Sequence, residues 1–170
     1  HDLVFLTLLS DHAETAGHAI LGHWVECQDG VPGHVNIDET PANTKIYRKT
    51  TKAKEFLDRA KKASGREKVD LVRSGAGALR RTIEEVVVFH LFKDTVRRWN
   101  EQIRLGAVAK ISWSDEVADE IVALQDDTSR LLEGHSNSDE FAGGMPDVNG
   151  LEKLIARVDA VIDKAKAERK

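Results

Sequence analysis

The sequence predicts a mainly α fold, a helical bundle around a long central helix with a small N-terminal antiparallel β-hairpin. Apolar residues recur at spacings of three and four over Thr44–Ala63, Ser64–Asp94, Ser112–Leu132 and Asp147–Ala167, the mark of amphipathic helices. The longest of these stretches, Ser64 to about Asp94, has the size of a helix that others pack around. Strand-like sequence is confined to the region before Pro41, where two short apolar runs flank Gln28-Asp29-Gly30. A chain of 170 residues, 41% hydrophobic and 32% charged, is long enough for one domain with a substantial core, or for a small domain with appendages.

Taken in order, Asp2 to about Ala16 reads as a helix, with Asp2 as its N-cap and Gly17 as its stop. Its strongly apolar part, Leu3 to Leu9, covers only two turns, so this helix needs a partner surface. Ala19–Glu26 reads as a strand and Val31–Ile37 as its return, with Pro32 and Gly33 making the second strand short, bulged or an edge. His18, His23 and His34 fall here, but no Cys or His pair has a recognised ligand spacing, so no metal is expected. Cys27, the single cysteine, excludes an intrachain disulfide and reads as a half-buried strand residue in a reducing compartment. Asp38–Thr44, polar and with Pro41, is a linker or loop.

Thr44–Ala63 is a basic amphipathic helix with Ile46, Tyr47, Ala53, Phe56, Leu57 and Ala60 as its apolar stripe. Its other face carries Lys45, Arg48, Lys49, Lys52, Lys54, Arg59, Lys61 and Lys62, a solvated face and also the place where a polyanion would touch. Ser64 and Glu67 have capping-box spacing and open the central helix. Its apolar stripe runs from Val69 and Leu71 to Leu91 and Phe92, and Gly75 and Gly77 suit a close helix crossing. Val86-Val87-Val88-Phe89 is β-branched in composition yet continues the stripe, and His90 beside it reads as a packed or half-exposed residue rather than a catalyst. Within this helix Arg80 and Glu84 stand four apart on one face, and Arg81 and Glu85 repeat that spacing about 100° round the axis.

Thr95–Ile111 fits no regular pattern; Arg97, Arg98 and Arg104 alternate with Val96, Trp99, Ile103 and Leu105, a mixture that can stack on nucleic acid or snorkel along a helix. Ser112-Trp113-Ser114-Asp115-Glu116 is a helix start, and Val117, Ile121, Val122, Leu124 and Leu131 form its stripe up to Gly134. A polar loop through Pro146 contains His135, and Asp147–Ala167 is a last amphipathic helix with Leu151, Leu154, Ile155, Val158, Val161 and Ile162 on one face. No Gly-rich phosphate loop or Ser-His-Asp motif occurs. The net charge of −4 gives no global basic field, and no apolar run reaches the roughly 18 residues of a membrane span, so a cytoplasmic protein is expected. The opening His1-Asp2, running straight into Leu3-Val4-Phe5-Leu6, reads as cut out of something longer.

Those first residues resemble the sequence just after the last core strand in the ABC-type heads of SMC-like AAA-family ATPases, where the His is a switch residue near the ATP γ-phosphate. Leu79-Arg80-Arg81-Thr82-Ile83-Glu84 resembles the LR-x3-E helix of the same family, and Leu132-Glu133-Gly134-His135 resembles its later Gly/Ser-His turn. The Arg, Glu and His together are similar to those of the restriction-linked tRNA anticodon nucleases, in which an ATPase head is fused to a ribonuclease module. The resemblance implies that residues 1–42 end an ATPase head and residues 43–170 form a helical effector module. It implies His1 as a nucleotide-binding residue, ATP and Mg in an upstream part, and none in this piece. The partners implied are the ATPase head of the same chain, tRNA and a dimer mate; the role implied is phage defence. P-loop, signature and acidic motifs are absent here, so this piece is not an ATPase on its own.

Metal-independent RNA cleavage needs a base for the 2′-OH, an acid for the leaving 5′-oxygen and a cation for the phosphorane. Glu84, His135 and Arg80 supply those groups in that order, with Arg97, Arg98 and Arg130 for neighbouring phosphates. The alternative is a non-enzymatic docking or regulatory module of a DNA-repair-like ATPase, in which Arg80 and Glu84 only tie the central helix to its neighbours.

Overall fold

The structure is a computed structural model that describes residues 3–28, 31–37, 45–97, 103–133 and 147–167. It is mainly helical, with a two-stranded antiparallel sheet near the N-terminus. The chain divides into two compact units, one of His1–Lys45 with Val96–Leu105 and one of Ile46–Thr95 with Gly106–Lys170.

In the first unit, α1 spans Leu3–Thr15. Gly17 ends it with φ +74°. His18 N–H donates to Ala13 C=O at 2.8 Å and Gly17 N–H to Glu14 C=O at 3.1 Å, the paired bonds of a Schellman stop. β1 spans His23–Gln28 and β2 Val31–Ile37, so the first strand begins four residues later than the apolar run at Ala19 suggests. Glu26 faces His34 whereas Cys27 faces Pro32, which leaves Gly33 as the extra residue of a bulge at φ +91°. Cys27 is exposed rather than half-buried, since the two-stranded sheet gives it no covering layer. The expected cap Asp2, the Asp29-Gly30 turn and the 38–44 linker lie outside the described residues.

The second unit holds the core. α2 (Thr51–Lys62), α3 (Gly65–Glu85), α4 (Asp115–Glu133) and α5 (Val148–Ala167) pack with α3 against each of the others. The expected helix from Thr44 is two pieces, a 3-10 turn at Ile46–Arg48 and then α2. The break falls at Thr50, which is buried and donates through its hydroxyl to Asp159 on α5 at 2.6 Å. Ile46 is correspondingly exposed, while Ala53, Leu57 and Ala60 are buried as the stripe requires. Ser64 sits at the N-cap position of α3 without a side-chain cap bond, because Gly65 takes φ +57° and the regular first turn of a capping box does not form.

Gly75 is the close crossing: a Cβ there would lie 2.6 Å from Leu151 Cδ2 of α5. A Cβ at Gly77 would have ordinary room, 4.0 Å from Leu132 Cδ2 of α4. All six apolar residues read for α5 are buried, with Leu151 fully so. Asp147 caps α5 through Gly150 N–H, and Ser114 caps α4 through Val117 N–H at 3.4 Å. On α4, Val117 and Leu124 are buried but Val122 is 62% exposed, since it lies off the α3-facing stripe. Arg157 of α5 reaches two carboxylates of α4, Glu120 at 2.8 Å and Asp127 at 2.6 Å, and so clamps these two helices.

Candidate functional site

The site is built on the C-terminal third of α3. Leu79 and Ile83 are buried and fix the roll of the helix, and Arg80 and Glu84 therefore point outward. Arg80 Nε lies 3.9 Å from Glu84 Oε1, and the two side chains are 48% and 45% exposed. The pair is a surface ion pair rather than a buried one, open to a ligand on the solvent side. On the helical wheel Arg80 and Arg81 flank Glu84 at about 40° and about 60°.

Arg81 does not depend on its expected i+4 neighbour. Its guanidinium donates to the Tyr47 hydroxyl at 3.1 Å and lies 5.3 Å from the centre of the Tyr47 ring. The 3-10 turn carrying Tyr47 is held on α3 by Thr82, whose buried hydroxyl lies 3.4 Å from the Lys49 carbonyl and 3.1 Å from that of Ala78. Arg48, next in sequence, places its guanidinium 3.9 Å from the Phe89 ring centre, and Phe89 meets His90 edge-on at 5.1 Å. Tyr47, Arg48 and Phe89 are partners that the sequence reading assigned to a stripe, a solvated face and a helix continuation, because no local spacing joins residues 34 or more positions apart.

Val86–Leu91 continues α3 as a π-helix, with Phe92 N–H donating to Val87 C=O at 2.9 Å. Such turns occur mostly as single bulges in α-helices and frequently at functional sites. Lys93 and Asp94, at φ +50° and +56°, end the element. His90 is buried, as its neighbours require.

Of the other residues expected at the site, Arg130 is on α4, 79% exposed, with Asp127 Oδ1 at 3.5 Å. Arg97 belongs to the first unit and pairs with Asp11 of α1 at 3.8 Å, so its charge is already answered there. His1, Arg98 and His135 lie outside the described residues. Leu132, three residues before His135, packs beside Gly77. Gly77, Arg80 and Glu84 form one stripe at spacings of three and four.

The basic face of α2 is largely spoken for. Lys54 pairs with Asp159 at 2.7 Å, Lys61 with Glu152 at 2.7 Å and Lys52 with Glu55 at 3.1 Å. Two of these carboxylates come from α5, where the sequence pattern did not place them. Among the described residues no group of three or more His, Cys, Asp or Glu side chains is arranged to hold a metal ion, and no helix is long and apolar enough to cross a membrane. Compared with known proteins, the chain matches no family model, no curated protein and no solved structure.

Proposed function

We propose that the second unit is a metal-independent endoribonuclease module working as the effector of an SMC-like ATPase, with Arg80, Glu84 and His135 as its catalytic residues. One observation carries this reading. The end of α4 meets α3 at Gly77, on the stripe that continues through Arg80 to Glu84. From Leu132 to His135 the chain spans up to about 10 Å, the same as the rise from Gly77 to Glu84 along the helix. Leu132, three residues before His135, thus lies against the stripe of α3 that carries the Arg80–Glu84 pair, which supports this reading.

In this reading Glu84 takes the proton from the 2′-OH, the 2′-oxygen attacks phosphorus, and the bond to the 5′-oxygen breaks as His135 protonates that oxygen. The products are a 2′,3′-cyclic phosphate and a free 5′-OH. Arg80 holds the non-bridging oxygens through the pentavalent stage with its planar fork. The resemblance to the anticodon nucleases adds tRNA as substrate, phage defence as role, a cytoplasmic setting and an upstream ATPase head that binds ATP and Mg.

The test is cleavage of tRNA in EDTA, with end-group mapping of the products. Glu84→Gln and His135→Ala lower the rate by about 10²–10⁴-fold, the usual contribution of a general base or acid. Arg80→Lys retains part of the activity, because an ammonium lacks the bidentate geometry. Full activity in Glu84→Gln or His135→Ala would sink the assignment.

A second reading has its own support. Phe5, Leu6, Leu8 and Leu9 of α1 and Val25, Val35 and Ile37 of the hairpin are exposed, an apolar surface suited to docking within a larger assembly. A docking module without chemistry would leave tRNA intact under every condition above.

A further inference from the structure

We infer that Arg48 and Arg81 form a second, phosphate-gripping site that holds the RNA strand beside the Arg80–Glu84 pair; the inference rests on the ribonuclease reading for its ligand. Both guanidiniums lie against aromatic rings, Arg48 at 3.9 Å from the centre of Phe89 and Arg81 at 5.3 Å from that of Tyr47. Among the described residues neither has a carboxylate partner within ion-pair distance, and Arg48 Nε is buried without an acceptor. By contrast Lys54, Lys61, Arg157 and Lys164 each face a carboxylate on a neighbouring helix. Holding a cation on a ring fixes its direction and leaves its donors for an anion from outside.

The π-helix is what makes the pair. Arg81 and Phe89 are eight positions apart, which on a straight α-helix turns them about 80° away from each other. The wider turn over Val86–Leu91 takes up most of that angle, so the one 3-10 turn at Ile46–Arg48 can reach Arg81 through Tyr47 and Phe89 through Arg48. The two ring contacts are spread along α3 and its π-helical continuation over a rise of up to about 12 Å, more than one phosphate step of a strand. Arg81 also flanks Glu84, so a strand bound here passes the Arg80–Glu84 pair. A fork of planar donors suits phosphodiesters, and stacked arginines also offer a platform for bases.

The test uses the full chain and a short, labelled, 2′-O-methylated single-stranded RNA, which binds but has no 2′-OH to react. Fluorescence anisotropy gives affinity against salt. Arg48→Gln and Arg81→Gln each weaken binding about tenfold, as expected for a lost charge-assisted contact, and each lowers the slope of log K against log salt by about 0.7. Lys61→Gln, an equal change of charge at a cation already paired with Glu152, leaves both unchanged. Thermal unfolding checks that each variant is folded; should Arg48→Gln unfold, Arg81→Gln on the exposed surface and Tyr47→Phe, which removes its hydrogen bond, carry the test. Unchanged binding in the folded arginine variants, or an equal loss in Lys61→Gln, overturns the inference. Binding that follows the expected pattern without cleavage of unmodified tRNA refutes the chemistry and leaves the phosphate grip standing. Cleavage by the wild type with unaltered binding in the arginine variants does the reverse.

Discussion

Gly75 and Gly77 stand two residues apart on α3, and adding a methyl group to each should have opposite results. In a helix interior, alanine is favoured over glycine by about 0.8–1.0 kcal/mol. At Gly77 the added Cβ meets nothing nearer than 4.0 Å, so Gly77→Ala should stabilise the protein by about 1 kcal/mol. At Gly75 the same atom would sit 2.6 Å from Leu151 Cδ2 and 3.4 Å from Phe56 Cβ, and Leu151 is 0% exposed, so its side chain can shift only within the core. Overpacking of that kind costs about 1–3 kcal/mol, which cancels or outweighs the propensity gain and leaves a net effect between about zero and about 2 kcal/mol destabilising. Leu151→Ala alone should cost about 2–5 kcal/mol, and in its background Gly75→Ala should become stabilising, because the methyl then fills space that leucine vacated. The cycle is read by urea unfolding followed by circular dichroism, with melting shifts of about 2–4 °C per kcal/mol as a second reading. If Gly75→Ala stabilises as much as Gly77→Ala, or if its effect simply adds to that of Leu151→Ala, the close approach of α3 and α5 is refuted.

Other expectations follow from the polar clamps. Thr50→Val should cost about 1–2 kcal/mol in the same urea experiment, since it leaves Asp159 without the 2.6 Å hydroxyl bond that anchors the start of α2. Arg157→Met should cost about 1 kcal/mol, discounted because all three members of its network are more than a third exposed, and the loss should shrink in high salt. The hydrogen bond from Lys164, and then its charge, hold the Glu116 carboxyl below its ordinary value of 4.5. A lowered carboxylate favours folding above its unfolded value, and that contribution disappears as pH falls through the lowered folded value. Carboxyl NMR titration should show Glu116 returning toward its ordinary value in Lys164→Met, and an unmoved midpoint would contradict the contact.

Much of the fold is legible because it depends on periodicity. Leu151, Leu154, Ile155, Val158, Val161 and Ile162 are readable as one face of α5 and all are buried, and of the short, bulged or edge strand that Pro32-Gly33 allows, the bulge forms. What failed was decided at long range. Thr50 interrupts a helical pattern because its partner lies 109 residues away, and the Lys54 and Lys61 charges are answered by α5. Ser64 and Glu67 have the spacing of a capping box, but the left-handed Gly65 between them prevents it. Of the candidate site, the Arg80–Glu84 spacing was visible, whereas Tyr47 and Arg48 join it only because a separate segment crosses α3. The π-helix left no trace in composition, since Val86-Val87-Val88-Phe89 reads equally as helix or strand.

One backbone bond bears on how the molecule can be taken apart. Ser112 N–H donates to Leu91 C=O at 3.1 Å and so closes the base of the segment between them, within which Val96–Leu105 group with the first unit. With that clasp at its foot, the segment is a detour in an otherwise continuous four-helix scaffold. Replacing Val96–Leu105 by a short glycine-serine bridge and starting the chain at Ile46 should yield a self-standing bundle, on which the proposed cleavage and RNA binding can be tested.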